Sequence, residues 1–228
     1  MKNMEAFTNK LREFLPSFMI SVEEPLSKHT SFRIVGPAEL MVFPRESQQL
    51  SRILQEARTW GIVPKILGAG TNVLAPDEGV RGLVICLRDT FMGLTLLQGN
   101  QIEAMAGMTL AQTAMFAARN HLSGLEFAHG IPGTVGGGIY MNAGAYGGEL
   151  KDVAVATEFM LPDGSTVWVE GEEQDFSYRH SCFQERQGII VRSRFQLTPG
   201  KEEEIRQRIY ELNEKRRASH SWWWDGCR

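Results

Sequence analysis

Seven of the eighteen residues from Gly130 to Gly147 are glycine, and none of the eighteen is charged. Flexible linkers contain Ser, Lys or Glu, whereas this segment places Ile131, Val135 and Ile139 between its glycines, and these side chains favour burial. Glycine permits positive φ angles and allows another body to approach the main chain closely. We therefore predict that the segment forms a wall of main-chain atoms on which a large flat ligand lies. The alternative is a tightly packed glycine-rich turn.

The composition is that of an ordinary globular protein large enough for two domains. Of the 228 residues, 43% are hydrophobic and 22% are charged, with a formal net charge of −3. There is no basic excess, so we expect neither nucleic acid nor a membrane as a partner. No protein partner is evident.

The cysteines indicate a reducing compartment. Cys86, Cys182 and Cys227 are odd in number and have no metal-ligand spacing, so we predict free thiols and no metal site. Cys86 lies in an apolar run and is expected in the core. No apolar run has the length of a signal peptide or a membrane span, and we predict a cytoplasmic protein.

Hydrophobic periodicity divides the chain into alternating helices and strands. It predicts helices at 7–15, 50–60, 110–121 and 201–217, and strands at 40–43, 63–67, 83–87, 102–106, 154–161, 165–170 and 189–197. Thr109 is the expected N-cap of the third helix, and residues 162–164 are expected to form a hairpin turn.

These elements group into four segments. Residues 1–20 form an N-terminal helix, and residues 21–92 form a mixed α/β unit. Residues 93–199 form a strand-rich α+β unit, and residues 200–228 form a helix with an irregular tail. The tail contains three consecutive tryptophans, which fit no helical stripe.

A second glycine-rich segment, Gly68-Ala69-Gly70-Thr71-Asn72, follows a predicted strand. Closely spaced N–H groups in such a turn form a concavity that holds anions, so phosphate binding is one interpretation. The segment lacks the Lys of a P-loop, and Pro76 and Gly79 prevent the helix that a Rossmann fingerprint requires. A purely structural turn explains the pentapeptide equally well.

Tyr178 and Arg179 form the other candidate site, because they lie among aromatic residues between two predicted strands. A guanidinium in such a place can hold a substrate carboxylate or stabilise a developing oxyanion. The alternative is a buried tyrosine beside an arginine that caps a carbonyl. Arg33 is interpreted as a surface or ion-paired residue, and His121 and His129 as structural residues.

Five motifs in order resemble the UDP-N-acetylenolpyruvoylglucosamine reductase family, the bacterial cell-wall flavoenzymes called MurB. The resemblance covers roughly residues 20 to 200. Its motifs are Thr-Ser-Phe-Arg-Ile at 30–34 with Gly36, Ile-Leu-Gly-Ala-Gly-Thr-Asn at 66–72, the run from Gly124 to Gly137, Met-Asn-Ala-Gly-Ala-Tyr-Gly at 141–147, and Ser-Tyr-Arg-His-Ser at 177–181.

The resemblance implies an α+β, two-subdomain FAD-binding fold of the vanillyl-alcohol oxidase/PCMH type, with the flavin between units 21–92 and 93–199. Carried over by position, it implies that these residues bind the cofactor: Gly68, Ala69, Gly70, Thr71, Asn72, Gly130, Ile131, Pro132, Gly133, Thr134, Gly136, Gly137, Asn142 and Gly144.

The family's reaction is also implied by the resemblance. NADPH is the reductant, and the enolpyruvyl ether of a UDP-sugar is reduced to UDP-N-acetylmuramate for peptidoglycan synthesis. Arg179 takes the position of the catalytic arginine, and Tyr178 helps to shape its pocket.

The chain departs from the family pattern after Arg217. The family continues there into a substrate-binding domain with a Ser or Cys proton donor and a late glutamate, which residues 218–228 do not match. We therefore expect a chain truncated before that domain. Two other functions stay open, namely a flavin-binding remnant without full activity and a flavin oxidase of the same fold.

Overall fold

The computed structural model describes residues 4–33 and 36–224, with side chains up to residue 218. The helices are α1 Met4–Arg12, α2 Ser47–Thr59, α3 Leu110–Arg119, α4 Val135–Tyr140 and α5 Glu202–Trp224. The strands are β1 Ile20–Pro25, β2 Pro37–Val42, β3 Lys65–Leu67, β4 Val80–Cys86, β5 Leu94–Leu97, β6 Gln101–Met105, β7 Leu122–Ser123, β8 Gly144–Ala145, β9 Gly148–Glu149, β10 Ala154–Met160, β11 Thr166–Glu170, β12 Ile189–Gln196 and β13 Thr198–Pro199.

The first sheet has the strand order β1-β2-β4-β3. Strand β4 pairs in parallel with both β2 and β3, whereas β1 pairs antiparallel with β2. Helix α2 connects β2 to β3, as a crossover between parallel strands requires. It buries Leu50, Ile53, Leu54 and Ala57 on one face, which is the stripe that the periodicity predicted.

The second sheet is antiparallel throughout, in the order β11-β10-β12-β6-β5. Strands β10 and β11 form the predicted hairpin, with Gly164 at φ +82° in its turn. The short strands form two further pairs, β7 with β13 and β8 with β9. Parallel pairing in the first sheet and antiparallel pairing in the second agree with the mixed α/β and α+β units predicted for the two parts of the chain.

One hydrophobic cluster joins the two sheets. It contains Leu40 and Ile85 from the first sheet and Ile102, Val191 and Phe195 from the second, all at most 1% exposed. Alternate residues of one strand point to opposite faces of a sheet, so the residues between these buried ones reach the outer face. The cleft described below lies between elements that this shared core holds together.

The outer face of the second sheet carries a network of ion pairs. Arg192 contacts Glu158 at 2.6 Å and Glu103 at 3.0 Å, and Arg194 contacts Glu103 at 2.9 Å. Burial opposes ionisation of Glu103, but the hydrogen bonds from both arginines outweigh it and lower the pKa of this carboxyl. The network explains how three strands keep charged side chains half-buried on one face.

Thr109 is the N-cap of α3, as predicted, and it forms a capping box that was not predicted. Thr109 Oγ1 accepts a hydrogen bond from the Gln112 N–H at 3.1 Å, and Gln112 Oε1 accepts one from the Thr109 N–H at 3.1 Å. Such a reciprocal capping box satisfies two helix-end donors at once.

Several other predictions need correction. Strands β1 and β5 were not predicted, because their exposure does not alternate regularly along the strand. Helix α5 continues to Trp224 rather than ending near residue 217. The boundary near residue 92 stays a prediction.

The thiols and histidines play structural parts. Cys86 and Cys182 are buried and free, and burial raises the pKa of the Cys86 thiol to about 11. His129 Nδ1 lies 3.0 Å from Asn213 Nδ2 and so joins two elements. Cys227 and Ile34, which the sequence analysis also named, lie outside the described residues.

No helix among the described residues combines the length and the apolar character that crossing a bilayer would need. No group of three His, Cys, Asp or Glu side chains in this part of the chain could hold a metal ion.

Candidate functional site

Both glycine segments line one cleft of about 920 Å³. The loop at 68–72 leaves the end of β3, and the longer segment runs from residue 131 through α4. A cleft of this size lies near the upper end of the range of about 300–1,000 Å³ that is usual for small-molecule and cofactor sites. The cleft is therefore the candidate functional site.

The loop at 68–72 is held by the segment that precedes β2. Gly70 has φ +63°, and its carbonyl accepts a hydrogen bond from the Ser31 N–H at 3.1 Å. A Cβ at position 70 would lie 2.0 Å from the carbonyl oxygen of His29. Only glycine fits both the backbone angle and the space, which gives the 30–34 motif a physical role as the support of this loop.

The N–H groups of residues 69–72 have no acceptor within the described part of the chain. Four consecutive N–H groups beside a cleft are the arrangement that binds phosphate oxygens through the main chain. Unsatisfied donors of this kind are rare in folded proteins unless water or a ligand meets them. Their position favours the anion-binding interpretation over a purely structural turn.

The longer glycine segment contains a short helix that the sequence analysis did not predict. Thr134 is its N-cap, and Thr134 Oγ1 accepts a hydrogen bond from the Gly137 N–H at 3.3 Å. A Cβ on Gly136 would lie 2.9 Å from the Ala106 Cβ, and one on Gly138 would lie 2.8 Å from Leu150 Cδ1. These two glycines allow α4 to pack closely against its neighbours. For them, the interpretation as a tightly packed glycine-rich segment is the better one.

Other glycines of this segment face open space. A Cβ on Gly137 would meet only Thr134 Oγ1, at 3.5 Å, and one on Gly133 only Thr71 Oγ1, at 3.9 Å. Both glycines line the cleft. The segment thus combines close packing on one side with main chain presented to the cleft on the other, and binding of a flat ligand there stays a prediction.

The two glycine segments touch each other. Thr71 Oγ1 donates a hydrogen bond to the Pro132 carbonyl at 3.0 Å. A Cβ on Gly68 would lie 2.5 Å from Thr134 Oγ1. The two segments therefore border one cleft, and the binding of one cofactor by both stays a prediction.

We expect Gly70→Ala to lower the free energy of unfolding by about 2–4 kcal/mol, because it adds backbone strain to a collision with the His29 carbonyl. The matched control is Gly82→Ala, since Gly82 also has a positive φ, +84°, but no atom lies within 4 Å of its Cβ position. That variant is expected to lose only about 1–2 kcal/mol from strain. Urea denaturation measures both, and equal losses would contradict the proposed collision.

Arg179 also lines the cleft, at the tip of a tight turn. The N–H groups of Ser177 and His180 donate hydrogen bonds to each other's carbonyls, both at 3.2 Å, and Arg179 has φ +57°. Tyr178 is 82% exposed, and the guanidinium carbon of Arg179 lies 5.4 Å from its ring centroid. The alternative of a buried tyrosine is therefore wrong.

Four arginines line the cleft, and no Asp or Glu is among its described lining residues. They are Arg58, Arg179, Arg186 and Arg216. This local excess of positive charge contrasts with the net charge of −3 for the whole chain. It favours a ligand with several negative charges.

Most of the predicted site residues line the cleft, and three do not: Gly130, Asn142 and Tyr178. The carbonyl of Gly130 accepts a hydrogen bond from Arg216 Nη1, which is itself a lining residue. The side chain of Asn142 is buried and bonded to protein groups, so a direct contact with a cofactor stays a prediction for it.

Sequence reasoning missed three of the four arginines, Arg58, Arg186 and Arg216. They come from the end of α2, the loop before β12 and helix α5, and no local motif connects them. No signal in the sequence would have grouped them.

The fold and the cleft define an FAD-binding domain protein. The FAD binding domain family matches residues 38–170. By its relatives, the chain belongs to the UDP-N-acetylenolpyruvoylglucosamine reductase family, a family of oxidoreductases. It is 40% identical to the reductase of Syntrophomonas wolfei over 209 residues and 39% identical to that of Caldanaerobacter subterraneus over 213.

These alignments cover 92% and 93% of the chain and 70% of each relative. Among solved structures, the chain is similar to MurB from Thermus caldophilus, with 35% identity, a TM-score of 0.73, and coverage of 87% of this chain and 68% of that one. p-Cresol methylhydroxylase shares the fold at 15% identity, with a TM-score of 0.64 and coverage of 86% and 44%. The recognition of the family and the predicted fold class are confirmed.

Proposed function

We propose that this chain binds FAD in the cleft and uses NADPH to reduce UDP-N-acetylglucosamine enolpyruvate to UDP-N-acetylmuramate, a step of peptidoglycan precursor synthesis. The observation that carries the proposal is made on the described residues: four arginines and no Asp or Glu line one cleft, and the N–H groups of residues 69–72 beside it have no acceptor among these residues. FAD, NADPH and the UDP-sugar are all polyanions, and such a cleft attracts them. The free thiols Cys86 and Cys182 support a cytoplasmic location.

The described residues fit FAD. The N–H groups of residues 69–72 suit the pyrophosphate, since they are consecutive donors for which the described part of the chain offers no acceptor. Gly133 and Gly137 suit the flat isoalloxazine, since a Cβ at either position would meet only a threonine hydroxyl. When bound, FAD supplies hydride transfer, taking a hydride from NADPH and delivering it to an alkene carbon.

Arg179 supplies the electrostatic part of the reaction. Hydride addition to one alkene carbon of an enolpyruvyl group places negative charge on its carboxylate side until the other alkene carbon takes a proton from water. A guanidinium held in advance beside that carboxylate stabilises the charge without reorganisation. The turn of residues 177–180 holds Arg179 at the cleft, and the positive φ of Arg179 fixes the direction of its Cα–Cβ bond.

The test uses the purified chain in two measurements. FAD binding is measured by the quenching of flavin fluorescence, and NADPH oxidation is then followed with and without UDP-N-acetylglucosamine enolpyruvate. Oxidation stimulated by the sugar is the expected result. Oxygen consumption without the sugar would indicate an oxidase, and bound flavin with neither activity would indicate flavin binding alone. Either outcome would overturn the proposed reaction.

A further inference from the structure

The turn that carries Arg179 is fastened to the end of the glycine-rich helix by three side chains. The turn comprises residues 177–180, and the chain continues into a 3₁₀ helix at Cys182–Gln184. Helix α4 ends at Tyr140, with Met141 as its C-cap and Asn142 as the next residue. Polar side chains from both segments fill the space between them.

Asn142 forms the first connection. It is 1% exposed, and its Nδ2 donates to the Ser177 carbonyl at 2.9 Å and to Glu149 Oε2 at 2.9 Å. Its Oδ1 accepts a hydrogen bond from the Lys151 N–H at 3.0 Å. Both donors and the acceptor of the amide are therefore used within the protein, and one of them holds the first residue of the turn.

Gln184 and Ser181 form the second connection. Gln184 Nε2 donates to the Tyr140 carbonyl at 2.9 Å and to the Arg179 carbonyl at 3.0 Å. Ser181 is fully buried, and its Oγ donates to the same Tyr140 carbonyl at 2.8 Å. Gln184 thus ties the main chain of the arginine directly to the last residue of α4.

Arg179 also has a charged neighbour on this side. The hydrogen bonds from Lys151 and then from Asn142 lower the pKa of Glu149, and the charge of Arg179 contributes in the same direction. The carboxylate that Asn142 holds is therefore part of the electrostatic surroundings of the arginine.

We propose that Asn142, Ser181 and Gln184 are positioning residues that fix Arg179 relative to the glycine wall of α4. The proposal rests on the proposed function, in which the flavin lies on this wall and Arg179 meets the substrate carboxylate. Because the three side chains join the turn to α4 itself, the cation and the wall move as one body. For Asn142, this role acts through the turn and differs from the direct cofactor contact that the family resemblance implied.

The first experiment needs no ligand. In Gln184→Glu, a carboxylate replaces the two N–H donors at nearly the same volume and faces two carbonyl oxygens. Hydrogen exchange followed by mass spectrometry is expected to show the hydrogen-bonded amides of Ser177 and His180 exchanging at least about tenfold faster, since local opening limits their exchange. Gln101→Glu is the matched control, because the Gln101 side chain donates its hydrogen bond to Gln196, between strands β6 and β12 and away from the turn. Unchanged exchange in Gln184→Glu would overturn the proposal.

A second variant tests the same contact without introducing the negative charge of Gln184→Glu. Ser181→Ala removes one donor to Tyr140, and Ser193→Ala removes an equally buried hydroxyl from a network with Thr157. Faster exchange at 177–180 is expected only in Ser181→Ala. An equal increase of the exchange rate in both variants would indicate a general loss of stability and would count against the positioning role of Ser181.

The second experiment separates positioning from mere support of the fold. Binding of UDP-N-acetylglucosamine enolpyruvate to the FAD-loaded chain is followed by the flavin spectrum in wild type, Gln184→Glu, Arg179→Ala and the double variant. Each single change is expected to weaken binding about tenfold, and the double variant to bind no more weakly than Arg179→Ala, because a positioning residue has nothing left to position. If the double variant binds the sugar about a hundredfold more weakly than wild type, the two losses are independent and the proposal is overturned. If wild type does not bind the sugar, the proposed function fails. The exchange measurement still tests whether the three side chains hold the turn of residues 177–180 against α4.

Discussion

A Gly137→Leu variant is expected to bind FAD at least about a hundredfold more weakly than wild type while keeping its fold. Gly137 lines the cleft, and a Cβ there would meet only Thr134 Oγ1, at 3.5 Å. The added side chain enters open space rather than the core, so the folded state tolerates it. It removes the volume that the flavin needs, and a hundredfold loss corresponds to about 2.8 kcal/mol.

The stability of the Gly137→Leu variant provides the internal check. Replacing a glycine inside a helix favours the helix by about 0.5–1 kcal/mol, so the variant is expected to unfold at the same or a higher urea concentration. Gly137→Ala is the matched control, with the same gain in helix stability and much less added volume. FAD affinity is measured by fluorescence titration. Wild-type affinity in Gly137→Leu would show that the flavin does not lie on this wall.

The second large effect concerns Arg179. Arg179→Ala is expected to lower turnover by about 10²–10³-fold and to change FAD affinity less than about threefold, because the guanidinium acts on charge that develops in the transition state. Alanine keeps a Cβ and thus the backbone strain of φ +57°, so the variant removes the cation alone. Arg179→Lys keeps a charge but loses the planar fork, and an intermediate loss is expected.

Arg33→Ala is the control for this variant. Arg33 is exposed, also has a positive φ, +51°, and is not among the described residues that line the cleft. Sugar-stimulated NADPH oxidation gives the turnover, and the flavin spectrum gives the bound FAD. Retained turnover in Arg179→Ala would mean that its role is misassigned, and an equal loss in Arg33→Ala would mean that the effect is not specific to the cleft.

The elements that could be predicted are those whose signals are local. The stripe of α2, the capping box of α3 and the β10–β11 hairpin all depend on residues within a few positions of one another. Periodicity and turn chemistry report such arrangements directly. Five short motifs in order also identified the family, because each motif can be recognised from a few neighbouring residues.

The elements that were missed depend on partners far along the chain. Strand β1 contains Glu23 and Glu24, and β5 shows little alternation, so pairing with β2 and β6 defines them. Helix α4 contains three glycines, which disfavour helix formation by propensity. It is held by its Thr134 cap and by the bond from the Gly136 N–H to the Ala106 carbonyl at 2.9 Å.

The candidate site divides in the same way. Gly133 and Gly137, which present main chain to the cleft, could be predicted from the sequence, because the proposed main-chain binding surface requires the absence of a side chain there. The sequence could not show that Gly136 and Gly138 serve packing instead, since their neighbours Ala106 and Leu150 come from other elements.

Short stretches of the sequence were enough to identify the family and the glycine segments and to predict a role for Arg179, because each of these features depends on neighbouring residues. The folded chain was needed to show that both segments border one cleft, that Arg58, Arg186 and Arg216 join Arg179 there, and that hydrogen bonds tie the turn of Arg179 to α4. Distance along the chain explains the difference. Charge and hydrogen-bond partners separated by tens of residues meet only when the two sheets pack on their shared core.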